Sequence, residues 1–140
     1  YLLIPVKNLY DYPVKILLAF EMAISGDKNF FQWLLENNFP ELAALSNAIR
    51  GNTDAINWLV NHGYRHFAAF DAASVDDDNA MKWLENHSYT FLATLAKASR
   101  GQQNSIDKLN QLDLEIFVRI ARRIKEFSDG QTFDYHKIPF

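Results

Sequence analysis

The chain has 140 residues and a formal net charge of −3, and 49% of its residues are hydrophobic while 22% are charged. This balance is typical of a globular domain, and the small negative charge argues against nucleic-acid binding over the whole surface. Cysteine is absent, which excludes disulfides, thiol nucleophiles and thiolate metal sites. No apolar run approaches the roughly 18 residues of a membrane span, so we expect no membrane partner.

Residues 1–16 come before the regular part of the chain, and we expect them to form an N-terminal cap. Within them, Pro5 to Tyr10 resembles the remnant of a second helix, because Val6 and Leu9 align with Phe31 and Leu34 further on. The opening residues lack the charged start and cleavage site of a signal peptide. This favours the cytoplasm over secretion without fixing the compartment. The opening residues also lack an initiating Met, so we expect a processed piece, and the sequence leaves open whether it comes from a longer protein.

A repeat with a period of 25 residues organises residues 17–116. Its four rows align without a gap and begin LLAFEMAISG at Leu17, LAALSNAIRG at Leu42, FAAFDAASVD at Phe67 and LATLAKASRG at Leu92. Self-similarity at a fixed period is the signature of a solenoid, in which each unit buries its apolar face against its neighbours. The sequence therefore predicts one all-α domain over residues 1–140, an α/α superhelix of four helix-turn-helix units with partial caps.

Each row contains two apolar stripes with helical spacing. In the first row, one stripe runs through Leu17, Phe20 and Ile24, and the other through Phe31 and Leu34. Such spacing predicts two short amphipathic helices per unit. We therefore expect the equivalent leucines of the second helix to be buried at the same point of every unit; they are Leu34, Leu59, Leu84 and Leu109.

Turn residues separate the predicted helices at the same positions of each row. Within a unit, residues that tolerate a left-handed conformation precede potential N-caps: Gly26-Asp27, Gly51-Asn52, Asp76-Asp77 and Gly101-Gln102. Between units the predicted left-handed residues are Asn38, Gly63, Ser88 and Asp113. Pro40 is expected in a first helical turn and Thr90 as a cap.

The C-terminal part departs from the rows. Residues 117–127 are predicted to form a capping helix, because Arg123 stands in a column otherwise held by alanine, and a buried charge there would be costly if another unit followed. Residues 128–140 follow no row. We expect them to form a tail whose aromatic residues let it lie back on the last helix.

The segment AIRGNTDAINWLVNHGY, from Ala48 to Tyr64, resembles the ankyrin-repeat phrase in which a glycine turn precedes a helix that ends in a hydrophobic pair and a glycine. The matching residues are Gly51, Trp58, Leu59 and Gly63, with echoes at Gly26, Trp33 and Leu34 and at Trp83 and Leu84. The ankyrin period is about 33, and the Thr-Pro-Leu-His opening and β-hairpin of that family are missing here. The resemblance implies binding of other proteins along a concave groove.

Several side-chain sets suggest chemistry but have simpler explanations. The aligned Trp33, Trp58 and Trp83 could stack a ligand, but helical spacing favours core packing. His62, His87 and His66 could hold a metal, but no carboxylate stands at ligand spacing, so we interpret them as residues of helix ends.

Residues 76–78, three consecutive aspartates, lack the central glycine and terminal glutamate of a calcium loop, which favours N-capping and a favourable interaction with the helix dipole. The chain contains no GxSxG, HExxH or phosphate-binding loop. We therefore expect no enzyme activity, no metal and no cofactor.

The best candidate for function is a surface on the first helix of each unit, where the fold stays constant while the charge changes. Glu21 and Asp71 lie toward the start of this surface, and lysine and arginine gather toward the end. The predicted partner-binding residues are Asn47, Arg50, Ala72, Val75, Lys97, Arg100, Arg119, Arg122 and Lys125. An alternative is that Arg50, Arg100 and Lys125 only complement the negative C-terminal ends of their helices.

Three functions remain open from the sequence. The first is a protein-interaction or scaffold module that binds a protein or peptide, acidic or of mixed charge, in the helix-1 groove. The second is a structural spacer or oligomerisation domain of a longer protein, and a weaker third is nucleic-acid phosphate binding at the basic C-terminal end. The sequence indicates no oligomeric state. Binding to nucleic acid would fall steeply with salt, whereas a peptide groove would depend on apolar contacts as well.

Overall fold

The structure is a computed structural model that describes residues 8–130, and the regular structure in this range is entirely helical. A short 3-10 helix at Leu9–Asp11 precedes α1 (Val14–Ile24), α2 (Lys28–Glu36), α3 (Pro40–Ile49), α4 (Thr53–Asn61), α5 (Arg65–Ser74), α6 (Asp78–Asn86), α7 (Thr90–Ser99), α8 (Gln103–Gln111) and α9 (Glu115–Asp129). The predicted all-α fold is confirmed. Across residues 8–130, no helix combines the length and apolar character needed to cross a bilayer.

The helices recur with the period found in the sequence. The starts of α3, α5, α7 and α9 are 25 residues apart, and the nine-residue helices α2, α4, α6 and α8 follow the same spacing. Each row of the alignment therefore corresponds to a pair of helices.

The predicted left-handed residues are confirmed at all eight positions. Within units, φ is +97° at Gly26, +94° at Gly51, +70° at Asp76 and +89° at Gly101; between units, it is +67° at Asn38, +86° at Gly63, +64° at Ser88 and +57° at Asp113.

The caps follow the prediction in part. Asp27, Asn52 and Asp77 accept backbone N–H groups of the next helix, as expected, while Gln102 makes no such bond. Pro40 begins α3 as predicted, but Thr90 is the first residue of α7 and not its cap.

The core lies between the two helices of each unit and along the line of units. Leu34, Leu59 and Leu84 are 0% exposed and Leu109 is 1% exposed, which confirms that they are buried at equivalent points. The tryptophans of α2, α4 and α6 are half-buried and pack against this core, as the sequence favoured.

Five helices form a closed ring. We call α1, α3, α5, α7 and α9 the ring helices: each packs on the next, and α9 also packs on α1. We call α2, α4, α6 and α8 the covering helices, because each packs on the two ring helices that flank it in sequence. The junction of α9 and α1, here called the seam, has no covering helix within residues 8–130.

Two predicted boundaries need correction. α1 begins at Val14, inside the expected cap of residues 1–16, and α9 spans Glu115–Asp129 where 117–127 was expected. α9 is longer because Glu126, a good helix former, holds the column in which glycine or aspartate ends α1, α3, α5 and α7. Residues 131–140 of the predicted tail, and 5–7 of the predicted helix remnant, lie outside the described residues.

Candidate functional site

The predicted groove is interrupted at α5. Ala72 is 1% exposed and so offers no contact surface, which corrects its place among the partner-binding residues. All of α5 from His66 to Ser74 is buried, because this helix packs against α3 and α7 in the ring and against α4 and α6 outside it. Its small alanines suit such close packing. Asn47 and Val75 are partly exposed, on either side of this interruption.

Two arginines near the C-terminal ends of ring helices donate hydrogen bonds to carbonyl groups of the preceding ring helix. Arg50 Nη1 donates to the carbonyl of Ile24 at 3.1 Å, and Arg100 Nε donates to that of Ala73 at 2.7 Å. Each thus reaches the last turn of the preceding ring helix, where a cation interacts favourably with the helix dipole. The alternative interpretation from the sequence named their own helices, and the contacts are instead made one unit back.

Arg100 is held by contacts within the fold and is not a mobile surface charge that could attract a partner. Its side chain is only 14% exposed and lies 3.1 Å from Asp78 and 3.7 Å from Asp76. Asp77 caps α6, as expected. The three aspartates are therefore engaged within the fold, and residues 8–130 contain no cluster of three potential metal-binding side chains.

The remaining cations of the predicted set also have partners, with one exception. Lys97 pairs with Glu85 at 3.5 Å, and Lys125 pairs with Asp129 at 3.2 Å. Arg122 is exposed and forms neither a hydrogen bond nor an ion pair with any residue that the structure describes.

A buried carboxylate holds the seam together. Glu21 on α1 is 1% exposed, and it lies 2.9 Å from Arg119 Nε and 2.8 Å from Arg123 Nε on α9. The hydrogen bond from Arg123 to this carboxylate raises the pKa of the guanidinium. Arg123 was expected to mark the open end of a stack, but it joins α9 to α1.

Three surface hollows border α9 and share Arg122. One of about 240 Å³ lies among α7, α8 and α9, with Ala98, Ile106 and Val118 in its lining. A second of about 330 Å³ runs along α8 and α9 past Asn110 and Glu115. The third, of about 400 Å³, lies at the seam beside Glu21 and Arg123. Arg122 therefore stands on a ridge between accessible hollows.

The histidines are placed by packing. His62 stacks on Trp58 with ring centroids 4.0 Å apart, and its Nδ1 lies 2.8 Å from the Trp58 carbonyl, so Nδ1–H is the donor. His87 repeats this arrangement with Trp83 at 4.1 Å and 2.8 Å. Both side chains complete helix ends, in agreement with the simpler interpretation of the sequence.

Two contacts were missed from the sequence. The Tyr12 hydroxyl donates to Glu41 at 2.6 Å in a buried pair. Burial is the main cause that raises the pKa of Tyr12, and this hydrogen bond raises it further. No local signal pointed to it. The Glu21–Arg123 pair did leave one, because Arg123 replaces the alanine of its column, and Glu21 and Asp71 are the acidic residues in a column otherwise of serine and alanine.

The arrangement around α9 suits the binding of a carboxylate beside apolar groups. Comparisons with protein-family models, with characterised proteins and with solved structures found no match to this chain. The likeness to ankyrin repeats therefore stays one of residues alone.

Proposed function

We propose that this chain is a protein-interaction module, and that it binds an acidic segment of a partner protein at Arg122 and the hollows along α8 and α9. We also propose that its four units make up one α/α superhelical array with α9 as its closing helix. The equal spacing of the helices and of the left-handed turns supports this architecture.

The observation that carries the functional proposal is that Arg122 has no hydrogen-bond or ion-pair partner among residues 8–130. One unit earlier, the equivalent cation Lys97 pairs with Glu85 on the preceding covering helix. Arg122 and Asn110 stand 25 residues after that pair, so a neutral amide replaces the carboxylate. A carboxylate from a partner would take the place that Glu85 has beside Lys97.

The neighbourhood of Arg122 favours protein over nucleic acid. Ile106 and Val118 are half-buried and give the hollows an apolar floor, while Asp113, Glu115 and Glu126 stand around them. A nucleic-acid backbone would bring several phosphate charges close to these carboxylates, whereas a peptide needs to bring only one carboxylate, to Arg122 itself. Apolar contact combined with one ion pair is typical of peptide recognition.

The experiment uses two variants that make the Arg122 charge unavailable to a partner in different ways. Arg122→Glu reverses its charge, and Asn110→Glu supplies an internal partner equivalent to Glu85. Wild-type and variant chains serve as baits for proteins of a cell extract at low and high salt, with quantified recovery. Both variants should lose the same partners, because either change denies them Arg122, and the difference from wild type should shrink at high salt.

Lys82→Glu is the matched control, since Lys82 is exposed on α6 and undergoes the same charge reversal. It should recover partners as wild type does, and all variants should melt as cooperatively as wild type. If every bait recovers the same proteins at equal strength, the proposal is wrong and the spacer function takes its place. Recovery that disappears on nuclease treatment would favour nucleic-acid binding instead.

A further inference from the structure

Among residues 8–130, the seam lacks an element that every other junction of the ring has. The junctions α1/α3, α3/α5, α5/α7 and α7/α9 are each covered by a nine-residue helix that packs on both partners. Among residues 8–130 no helix takes this place between α9 and α1. The four covered junctions therefore give a template for what would fit the fifth.

The α1 side of the seam carries an exposed leucine at a position where the next three units have a buried alanine. Leu18 is 37% exposed, whereas its equivalents Ala43, Ala68 and Ala93 are 0%, 1% and 4% exposed. The equivalent on α9, Val118, shares a hollow with residues of the preceding covering helix, so this column faces that helix. Val14, one turn before Leu18, is 59% exposed and forms an apolar strip with it.

On the α9 side of the seam, Arg123 has N–H donors that its partners in the structure do not use. Arg123 uses Nε on Glu21, while its Nη1 reaches Glu126 only at 3.7 Å. A guanidinium has five N–H donors, so Arg123 can donate to a further carboxylate. The equivalent residue on α7, Ala98, shares a hollow with Ile106 of the following covering helix. A helix over the seam would therefore place its residue equivalent to Ile106 near Arg123.

We infer that the seam receives a short amphipathic helix of a partner protein, with apolar side chains on Val14 and Leu18 and a carboxylate beside Arg123. This inference rests on the proposed function and names the shape and chemistry of the partner. The occupant resembles the chain's own covering helices, with an acidic residue where they have Phe31, Ile56, Met81 and Ile106.

The probe is a synthetic peptide that copies residues 52–62, held helical by a hydrocarbon staple on its outer face, with Ile56→Glu. The control peptide keeps Ile56. Methyl NMR of the full chain follows the Val14 and Leu18 signals at the seam against the Ile106 and Val118 signals between α8 and α9. The acidic peptide should shift the seam signals with a dissociation constant below about 1 mM, and the control peptide should bind at least about fivefold more weakly.

Leu18→Ala tests the apolar strip at little risk to the fold, because alanine is the residue at this point of the next three units. It should weaken binding of the acidic peptide about fivefold to tenfold through lost apolar contact. No seam shifts, equal affinity for both peptides, or unchanged affinity of Leu18→Ala would each overturn the inference. If the chain dimerises and Leu18→Ala abolishes dimerisation, a second copy is the occupant and the inference is equally overturned.

The two proposals fail separately. If Arg122→Glu and Asn110→Glu lose partners but the peptide leaves the seam signals unchanged, the partner binds along α8 and α9 and the inference about the seam is wrong. If the variants lose no partner, the proposed function itself is wrong.

Discussion

The left-handed conformation of single turn residues can be predicted from the sequence, because the repeat aligns equivalent turn positions. Ser88 and Asp76 would not be assigned positive φ by themselves. Asp76 stands in a column that has glycine in the other three units, and Ser88 is equivalent to Gly63. A serine at positive φ bears a steric cost that glycine does not. The repeat thus predicts both the conformation and the positions where it is strained.

We predict that Gly63→Ala lowers the free energy of unfolding by about 1 kcal/mol. A Cβ added at Gly63 meets no atom within 4 Å, so the loss comes from the backbone conformation and not from a clash. Urea unfolding followed by circular dichroism measures it.

Ser88→Gly should stabilise the protein by up to about 1 kcal/mol, because Ser88 has a φ of +64° at the equivalent position. Gly63→Ala adds a Cβ at this left-handed position and Ser88→Gly removes one, so the two changes in stability should have opposite signs. A fall in melting temperature for Ser88→Gly would contradict the assignment.

Contacts of long side chains are harder to predict at the same scale. The repeat shows that Arg50, Arg100 and Lys125 are equivalent, but not that Arg50 and Arg100 reach back to carbonyls of the preceding ring helix. That depends on the distance between neighbouring helices, which the period does not contain. Reversing Arg100 would therefore disturb the fold as well as any partner, whereas Arg122 is a cleaner site for charge reversal.

At the scale of elements, apolar spacing and turn residues together place the helices. The spacing identifies the face of each helix that is buried, and the left-handed residues mark where the helix stops. The main error was at α9, where the rows predicted an end at 127 and the helix continues to Asp129. Glu126 was the available signal, since it replaces the residue that stops the other ring helices.

We predict that Leu59→Ala destabilises the protein by about 2–5 kcal/mol, because it removes a fully buried side chain and leaves a cavity between neighbouring units. Leu35→Ala is the matched control. Leu35 is 41% exposed on the equivalent helix of the first unit, so its loss should cost about 0.5 kcal/mol. Equal losses in chemical unfolding would show that burial does not distinguish the two leucines and that the register of the units is wrong.

The closure of the whole molecule could not be predicted from the repeat. A period fixes which residues are equivalent, but the small rotation between units, which decides whether an array stays open or closes, arises from packing. Alanines at Ala23, Ala48 and Ala73 let ring helices approach closely, while Arg123 at the same column needs Glu21 to neutralise it. The pairing becomes visible only when both ends are compared.

We predict that removing the arginines of the seam destabilises the protein more than removing the carboxylate does. Replacing Arg119 and Arg123 together by Ala should lower the free energy of unfolding by about 3 kcal/mol, because Glu21 is left buried without a counter-charge. The value lies at the low end for buried pairs, since both arginines are partly exposed. Adding Glu21→Ala should then recover stability, because it gives the seam the small residues of the other junctions.

Chemical unfolding of the double and triple variants measures this recovery, with Glu21→Ala alone as the reference. Glu21→Ala should cost less than the double variant, because the two freed arginines can turn toward water. If the triple variant is no more stable than the double variant, the buried charge is not what makes the seam sensitive.

The seam also imposes an order on the formation of the molecule. Glu21 and Arg123 are 102 positions apart, whereas the contacts between successive units join residues that lie close in sequence. A chain that is synthesised from its N-terminus can assemble its first units early, but the carboxylate of Glu21 is neutralised only after 102 further residues have been made. Until then Glu21 stays in water, and the nascent array has an exposed flank on α1. Completion of α9 covers the part of α1 that carries Glu21, so the packing of this early helix is finished by one that is made much later.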